Sequence, residues 1–169
     1  MNHVEEMEKG EDYELFAIYG VSIEYPSDWN IEVGPLKRDR GSVTFRSKDG
    51  GLSCALSWIP LKEVQKRFRD PKEQARKALD DVRGKSGVKD LEVLEDRGMF
   101  VNGHEAAIMR LRATLKAGVF SRSHFKSEIQ VLYLHCDETQ RCFVLFSLGP
   151  QEDKYAHVFN HMACSMKCH

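Results

Sequence analysis

Ile129-Gln130-Val131-Leu132-Tyr133-Leu134-His135-Cys136-Asp137-Glu138-Thr139-Gln140-Arg141-Cys142-Phe143-Val144-Leu145-Phe146-Ser147-Leu148 is the stretch on which the fold turns. Runs 129–136 and 142–148 are almost continuously apolar, and the five residues between them are polar or charged. A strand with one wet face alternates, whereas a strand covered on both faces does not. The pair therefore reads as two central strands of a doubly covered sheet, joined by a polar turn. Gly149-Pro150 closes the sheet, and residues 153–167 read as a final helix.

Working back, Ala107, Met109, Leu111, Ala113 and Leu115 alternate with Ile108, Arg110, Arg112, Thr114 and Lys116, the period of a strand. Before it, residues 91–95 lead to Asp96-Arg97-Gly98, and Phe100-Val101 leads to Asn102-Gly103, a favoured two-residue hairpin turn. Asp70-Pro71-Lys72-Glu73 supplies an N-cap oxygen, a proline at the first helical position and a glutamate at N3. Ala75, Leu79 and Val82 give that helix an apolar stripe, and Gly84 and Gly87 stop it. Residues 61–69 read as a shorter helix with Val64 and Phe68 inward. Leading up to it, Val43 and Phe45 start a strand, Lys48-Asp49-Gly50-Gly51 turns, and residues 52–59 return to Pro60. Near the start, Val21, Ile23 and Tyr25 alternate, Pro26-Ser27-Asp28 turns, and Trp29, Ile31 and Val33 alternate again, which reads as a hairpin. Residues 1–12 are polar and acidic and read as a mobile lead to a single domain over 13–169. The whole predicts an α+β fold: an antiparallel β-sheet of about six to eight strands with helices packed on both faces, an α/β/α sandwich.

With 169 residues the chain can bury a core without staples, and a net charge of −1 supplies no global field for nucleic acid or an anionic membrane. No stretch approaches the roughly 20 apolar residues of a membrane span. Met1-Asn2-His3-Val4-Glu5-Glu6 lacks the apolar core of a signal peptide. The five cysteines at 54, 136, 142, 164 and 168 are an odd set, so reduced thiols and a cytoplasmic location are expected.

Tyr19-Gly20-Val21-Ser22-Ile23-Glu24-Tyr25-Pro26-Ser27-Asp28-Trp29 resembles the opening hairpin of PsbP-like and Mog-like proteins. Val101-Asn102-Gly103-His104-Glu105-Ala106-Ala107 resembles a later hairpin of the same group, and the order of elements agrees. The resemblance implies an α/β/α sandwich used for binding. Relatives include a thylakoid-lumen photosystem subunit, a Ran-binding nuclear import factor and bacterial secretion chaperones. The matching motifs are structural hairpins, so no functional residue is carried over.

Candidate chemistry is sparse. On a continuous final helix His157, His161, Cys164 and Cys168 fall on one stripe, with His169 beside it. That stripe is the candidate for a soft metal. At about 1.5 Å per residue, however, its ends lie roughly 16 Å apart, too far for one tetrahedral ion. Only a pair from it can bind, with ligands from elsewhere or the frayed end. Cys136 and Cys142 flank the polar turn and, in a reducing compartment, read as small core residues. Arg110, Arg112 and Lys116 share one strand face and Arg122 follows nearby. This set is the candidate partner-binding patch, set against a solvated face paired with acids across the sheet. Phosphate-binding loops, the dinucleotide glycine fingerprint, the serine elbow and the H-E-x-x-H motif are all missing from the sequence. The expectation is a non-catalytic adaptor with an unidentified protein partner, no nucleic acid, no membrane and no cofactor, acting through a sheet edge or a groove beside the helices. The alternative is a metal- or redox-responsive protein using the C-terminal His/Cys helix face.

Overall fold

A computed structural model of the chain describes residues 12–118 and 120–169; residues 1–11 of the expected mobile lead lie outside them. Nine strands and three helices are described: β1 (Tyr13–Ile18), β2 (Val21–Pro26), β3 (Asn30–Leu36), β4 (Gly41–Arg46), β5 (Ser53–Pro60), α1 (Leu61–Gln65), α2 (Pro71–Arg83), β6 (Val88–Val101), β7 (His104–Lys116), β8 (His124–Cys136), β9 (Arg141–Gly149) and α3 (Asp153–Ser165). Seven strands form one antiparallel sheet in the order β3-β4-β5-β9-β8-β7-β6, and β1 and β2 form a separate ribbon. Doubly apolar β9 sits at the centre beside β8, where the sequence puts them. Helices lie on both faces, α1 and α2 on one and α3 on the other, and the α/β/α sandwich is complete. Among the described residues no helix is long and apolar enough to cross a membrane.

The two cores follow from the alternation. On the first face, the β1–β2 ribbon and α3 cover Phe45, Leu56, Trp58, Leu132, Leu134, Phe143 and Leu145, with Val21, Ile23 and Phe159 descending from the cover. On the second, Ala75 and Leu79 of α2 meet Ala107, Met109, Leu111 and Val131, while Leu61 and Val64 of α1 close over Cys142. Gly41 is required beneath Trp58, because a Cβ there would run into the indole ring. The same indole donates to the Lys37 carbonyl at 3.0 Å.

Three readings need correction, besides the short helix read over 61–69, which ends at Gln65. The opening strands do not form a hairpin with each other. β2 pairs back onto β1, with Phe16 opposite Ile23, and β3 pairs forward onto β4, with Ile31 opposite Phe45. Tyr19 and Gly20 adopt φ of 49° and 81°, the left-handed pair that a tight hairpin needs, so the true turn lies before β2. The Pro26–Trp29 turn instead carries the chain from the covering layer into the main sheet, its Trp29 amide donating to Pro26 O at 3.0 Å. Second, Asp96-Arg97-Gly98 interrupts nothing: β6 runs through it as a 14-residue strand, taking up irregularities between Lys89 and Glu92 and between Val93 and Glu95. Third, α3 stops at Ser165 instead of 167. Lys167 leaves the helix to exchange backbone bonds of 2.8 and 2.9 Å with Ser22 of β2.

The start of α2 is as read. Asp70 accepts from the Glu73 amide at 2.8 Å, and the Glu73 carboxylate accepts from the Arg69 amide at 2.8 Å. Asp70→Ala is expected to cost about 1 kcal/mol in urea unfolding. The Arg69 amide holds the Glu73 carboxyl below its ordinary value of 4.5. The contribution of Glu73 is therefore present above that value and is lost as pH falls through the lowered one.

Candidate functional site

The basic face of β7 is largely spent inside the protein. Arg112 is opposite Glu128 and Arg110 opposite Gln130 in the β7–β8 register. The Nε groups of both arginines donate to the two oxygens of Glu128, Arg112 at 3.2 Å. Glu128 is only 4% exposed, and Asp153 at the start of α3 lies 4.0 Å from Arg112. Lys116 and Arg122 stand apart from this triad, exposed at the far end of the hairpin. Two of the four residues, Arg110 and Arg112, thus belong to an ion triad with buried Glu128, and the other two, Lys116 and Arg122, are surface cations.

The C-terminal set is also divided. His157 and Cys164 are exposed on α3, while His161 bonds Glu24 at 2.7 Å and stacks on Tyr13 with ring centroids 3.7 Å apart. Cys168 is not on the helix. The extended step at Met166 (ψ 132°) turns it inward, fully buried, where it and His169 join His104 and Cys136. Sequence spacing gives no sign of this grouping, because His104 and Cys136 come from other elements. Cys136 and Cys142 point to opposite faces, into separate cores. Burial pushes the Cys54 thiol up to about 12 and that of Cys142 to about 11, which keeps both protonated and unreactive. His135, one residue before Cys136, serves packing: its Nε2–H donates to Gln74 Oε1 of α2 at 2.8 Å, and burial lowers its pKa.

The feature that sequence reading missed is a strip of sheet that none of the three described helices covers. α2 rests on β6, β7 and β8, and the short α1 rests on β5 and β9. Beyond α1, the far ends of β5, β8 and β9 carry no helix on this face among the described residues. Phe125 there is 45% exposed and Phe146 39%, and with Leu148, Ser127, Ser53 and Arg46 they line an open cleft of about 620 Å³. Phe146 sits between Ala55 of β5 and Val131 of β8, so its backbone is rigid. Surface aromatic pairs on rigid strands suit contact with another macromolecule. The run 142–148 is too uniformly apolar to reveal that one residue in it faces outward.

No family model and no curated protein matches the sequence. In three dimensions the chain is similar to the Ran-binding protein Mog1p of Saccharomyces cerevisiae, covering 94% of this chain and 96% of that one with a TM-score of 0.63 at 10% identity. A mutant form of Mog1 gives 93%, 96% and 0.61 at 11% identity. The PsbP protein CyanoP of Synechocystis sp. PCC 6803 covers 94% of each chain with a TM-score of 0.53 at 13% identity. At such identities the likeness is one of fold, and it agrees with the resemblance carried by residues 19–29 and 101–107. The chain has the Mog1/PsbP-like fold.

Proposed function

We propose that the chain is a non-catalytic protein-binding module that docks its partner on the strip around Phe125 and Phe146. The exposed aromatic pair on a rigid sheet carries this reading, and the fold shared with a Ran-binding protein supports it. A face suits docking better than an edge here. The outer strand β3 contains Pro35 and an irregularity between Val33 and Leu36, and β6 is broken in register twice and studded with charge. Both features oppose the addition of a further strand. Lys116 and Arg122 lie at the same end of the β7–β8 hairpin as Phe125, since Leu115 pairs with Phe125 and Lys116 with His124. The basic side chains that line the cleft itself are Arg46 and Lys126, while Lys116 pairs with His124 on the other face of the sheet and Arg110 and Arg112 engage Glu128. Five free cysteines fit the cytoplasmic setting of this reading.

Ran is the first partner to titrate, followed by crosslinked capture from the native lysate. Phe125→Asp with Phe146→Asp is expected to keep the melting temperature within a few degrees and to weaken the captured complex at least about 30-fold. An identical partner set and affinity for the parent and the double variant would place the binding surface elsewhere.

A further inference from the structure

At the opposite end of the β7–β8 hairpin, side chains from three separate parts of the chain converge. His104 opens β7 directly after the Asn102-Gly103 turn, and Cys136 closes β8. Cys168 and His169 follow α3. Their segment is held there by the Lys167–Ser22 backbone bonds and by Arg141, whose Nη2 donates to the Cys168 carbonyl at 3.3 Å. One nitrogen or sulfur from each of the four residues lies within 4.8 Å of the other three. Cys136 Sγ is 3.8 Å from His104 Nε2, and Cys168 Sγ is 3.4 Å from His169 Nδ1.

These are nearly the separations that zinc imposes. With bonds of about 2.3 Å to sulfur and about 2.0–2.1 Å to nitrogen, a tetrahedral ion sets its ligands roughly 3.3–3.8 Å apart. Closing the observed cluster onto one ion therefore takes movements of about 1 Å. The surroundings are also those of a metal site. Glu138 engages His169 Nε2 at 3.0 Å, which fixes the ring and leaves Nδ1 turned toward the thiols, the carboxylate–histidine arrangement that orients zinc ligands. Asn102 Nδ2 donates toward Cys168 Sγ at 3.6 Å, a bond that a thiolate strengthens. Its 3.4 Å contact to His169 Nδ1 would be displaced by the metal. Charge agrees as well, because two thiolates and two neutral imidazoles cancel a divalent cation and leave a neutral complex beside the Arg141 guanidinium.

We propose that His104, Cys136, Cys168 and His169 form a structural zinc site that staples the segment after α3 to the β7–β8 hairpin. Each cysteine S–H bond gives way to an S–Zn bond, the two protons pass to solvent, and nothing is oxidised or reduced. Four protein ligands leave no open coordination position, so the site is structural and not hydrolytic.

The test uses the full chain, untagged and reduced. Zinc is titrated against a chromophoric chelator, and cobalt(II) is used as a spectroscopic probe. The expected result is about one ion per chain, tetrahedral cobalt bands with thiolate-to-metal charge transfer, and a melting temperature that rises with zinc and falls again with EDTA. Cys168→Ser should remove much of the charge-transfer intensity. Because that buried variant can fail to fold, His169→Ala and Glu138→Gln, both at the surface, provide the decisive comparison. His169→Ala should leave the metal-free melting temperature unchanged and weaken zinc at least 100-fold, and Glu138→Gln should weaken it about 10- to 100-fold. Equal zinc affinity in the parent and His169→Ala would overturn the proposal. So would six-coordinate cobalt without charge transfer, or a Cys136–Cys168 disulfide in a chain that takes up no metal after reduction.

Discussion

Arg141→Met is expected to cost about 4 kcal/mol, a fall in melting temperature of roughly 8–16 °C for a domain of this size. The guanidinium is buried and has carbonyls for partners. Its Nη1 donates to Arg38 O at 3.1 Å, and its Nη2 donates to Tyr19 O at 2.9 Å and Cys168 O at 3.3 Å. Those carbonyls belong to the β1–β2 turn, the β3–β4 loop and the segment after α3. One side chain thus ties three otherwise separate pieces of surface to the central strand. Methionine fills the volume but leaves all three acceptors without their donor, and each hydrogen bond to a charged group is worth about 1.5–3 kcal/mol. The sum is discounted because acceptors at the rim regain water. Arg141→Lys separates this account from simple packing: lysine keeps charge and stem, yet its ammonium cannot fork across the three carbonyls. It should lose most of the same stability, and hydrogen exchange of the Ser22 and Lys167 amides should accelerate before that of the β8–β9 ladder. A lysine variant within about 1 kcal/mol of the parent would show that the fork is not what matters.

Glu128→Leu is expected to cost about 2–3 kcal/mol, and the loss should be recovered by removing its partners. Breaking a fully buried ion pair costs about 3–5 kcal/mol, because a charge is left behind without compensation. The discount here reflects the arginines, whose side chains are 24% and 33% exposed and can turn toward water. Converting the whole triad with Arg110→Met, Arg112→Met and Glu128→Leu should come out near neutral or better than the parent, since no charge then remains to be desolvated. Urea unfolding of the single and triple variants checks both halves. A triple variant weaker than Glu128→Leu would mean that the arginines contribute chiefly through contacts other than the carboxylate.

Strand identity and burial were legible because they are local. The alternation over β7 and the uniform apolarity of β8 and β9 placed their faces and their central position, and the Asp70–Glu73 cap placed α2. Pairing partners were less legible. Val21, Ile23 and Tyr25 announce a buried face in the same way whether the neighbouring strand comes before or after, and only the Tyr19-Gly20 turn, with its left-handed backbone, decides between them. The end of α3 was hidden for a related reason. Nothing in residues 165–168 breaks a helix; the backbone leaves it to bond with Ser22, far away in sequence. That departure moves Cys168 off the expected stripe and into contact with residues of β7 and β8, a grouping set by tertiary structure. Phe146 was hidden by the opposite circumstance, since an outward aromatic in an apolar run looks like another core residue until the five residues of α1 are seen to stop short of it.

The joining of β2 to the segment around α3 also has a consequence for how the chain folds. The Glu24 amide donates to Ser165 Oγ across 141 positions of sequence, and the two pieces together roof one side of the main sheet. The strands beneath pair largely with near neighbours, as β3-β4-β5 and as β6-β7-β8-β9, and such ladders close small loops at low entropic cost. The roof cannot be set until both distant segments are present and docked. Refolding should therefore pass through a stage in which Phe45, Leu56, Leu132 and Leu145 lie on a paired but bare sheet. At that stage the chain is most prone to stick to copies of itself, and dilution or a holding chaperone should raise the yield more than any change to the finished surface.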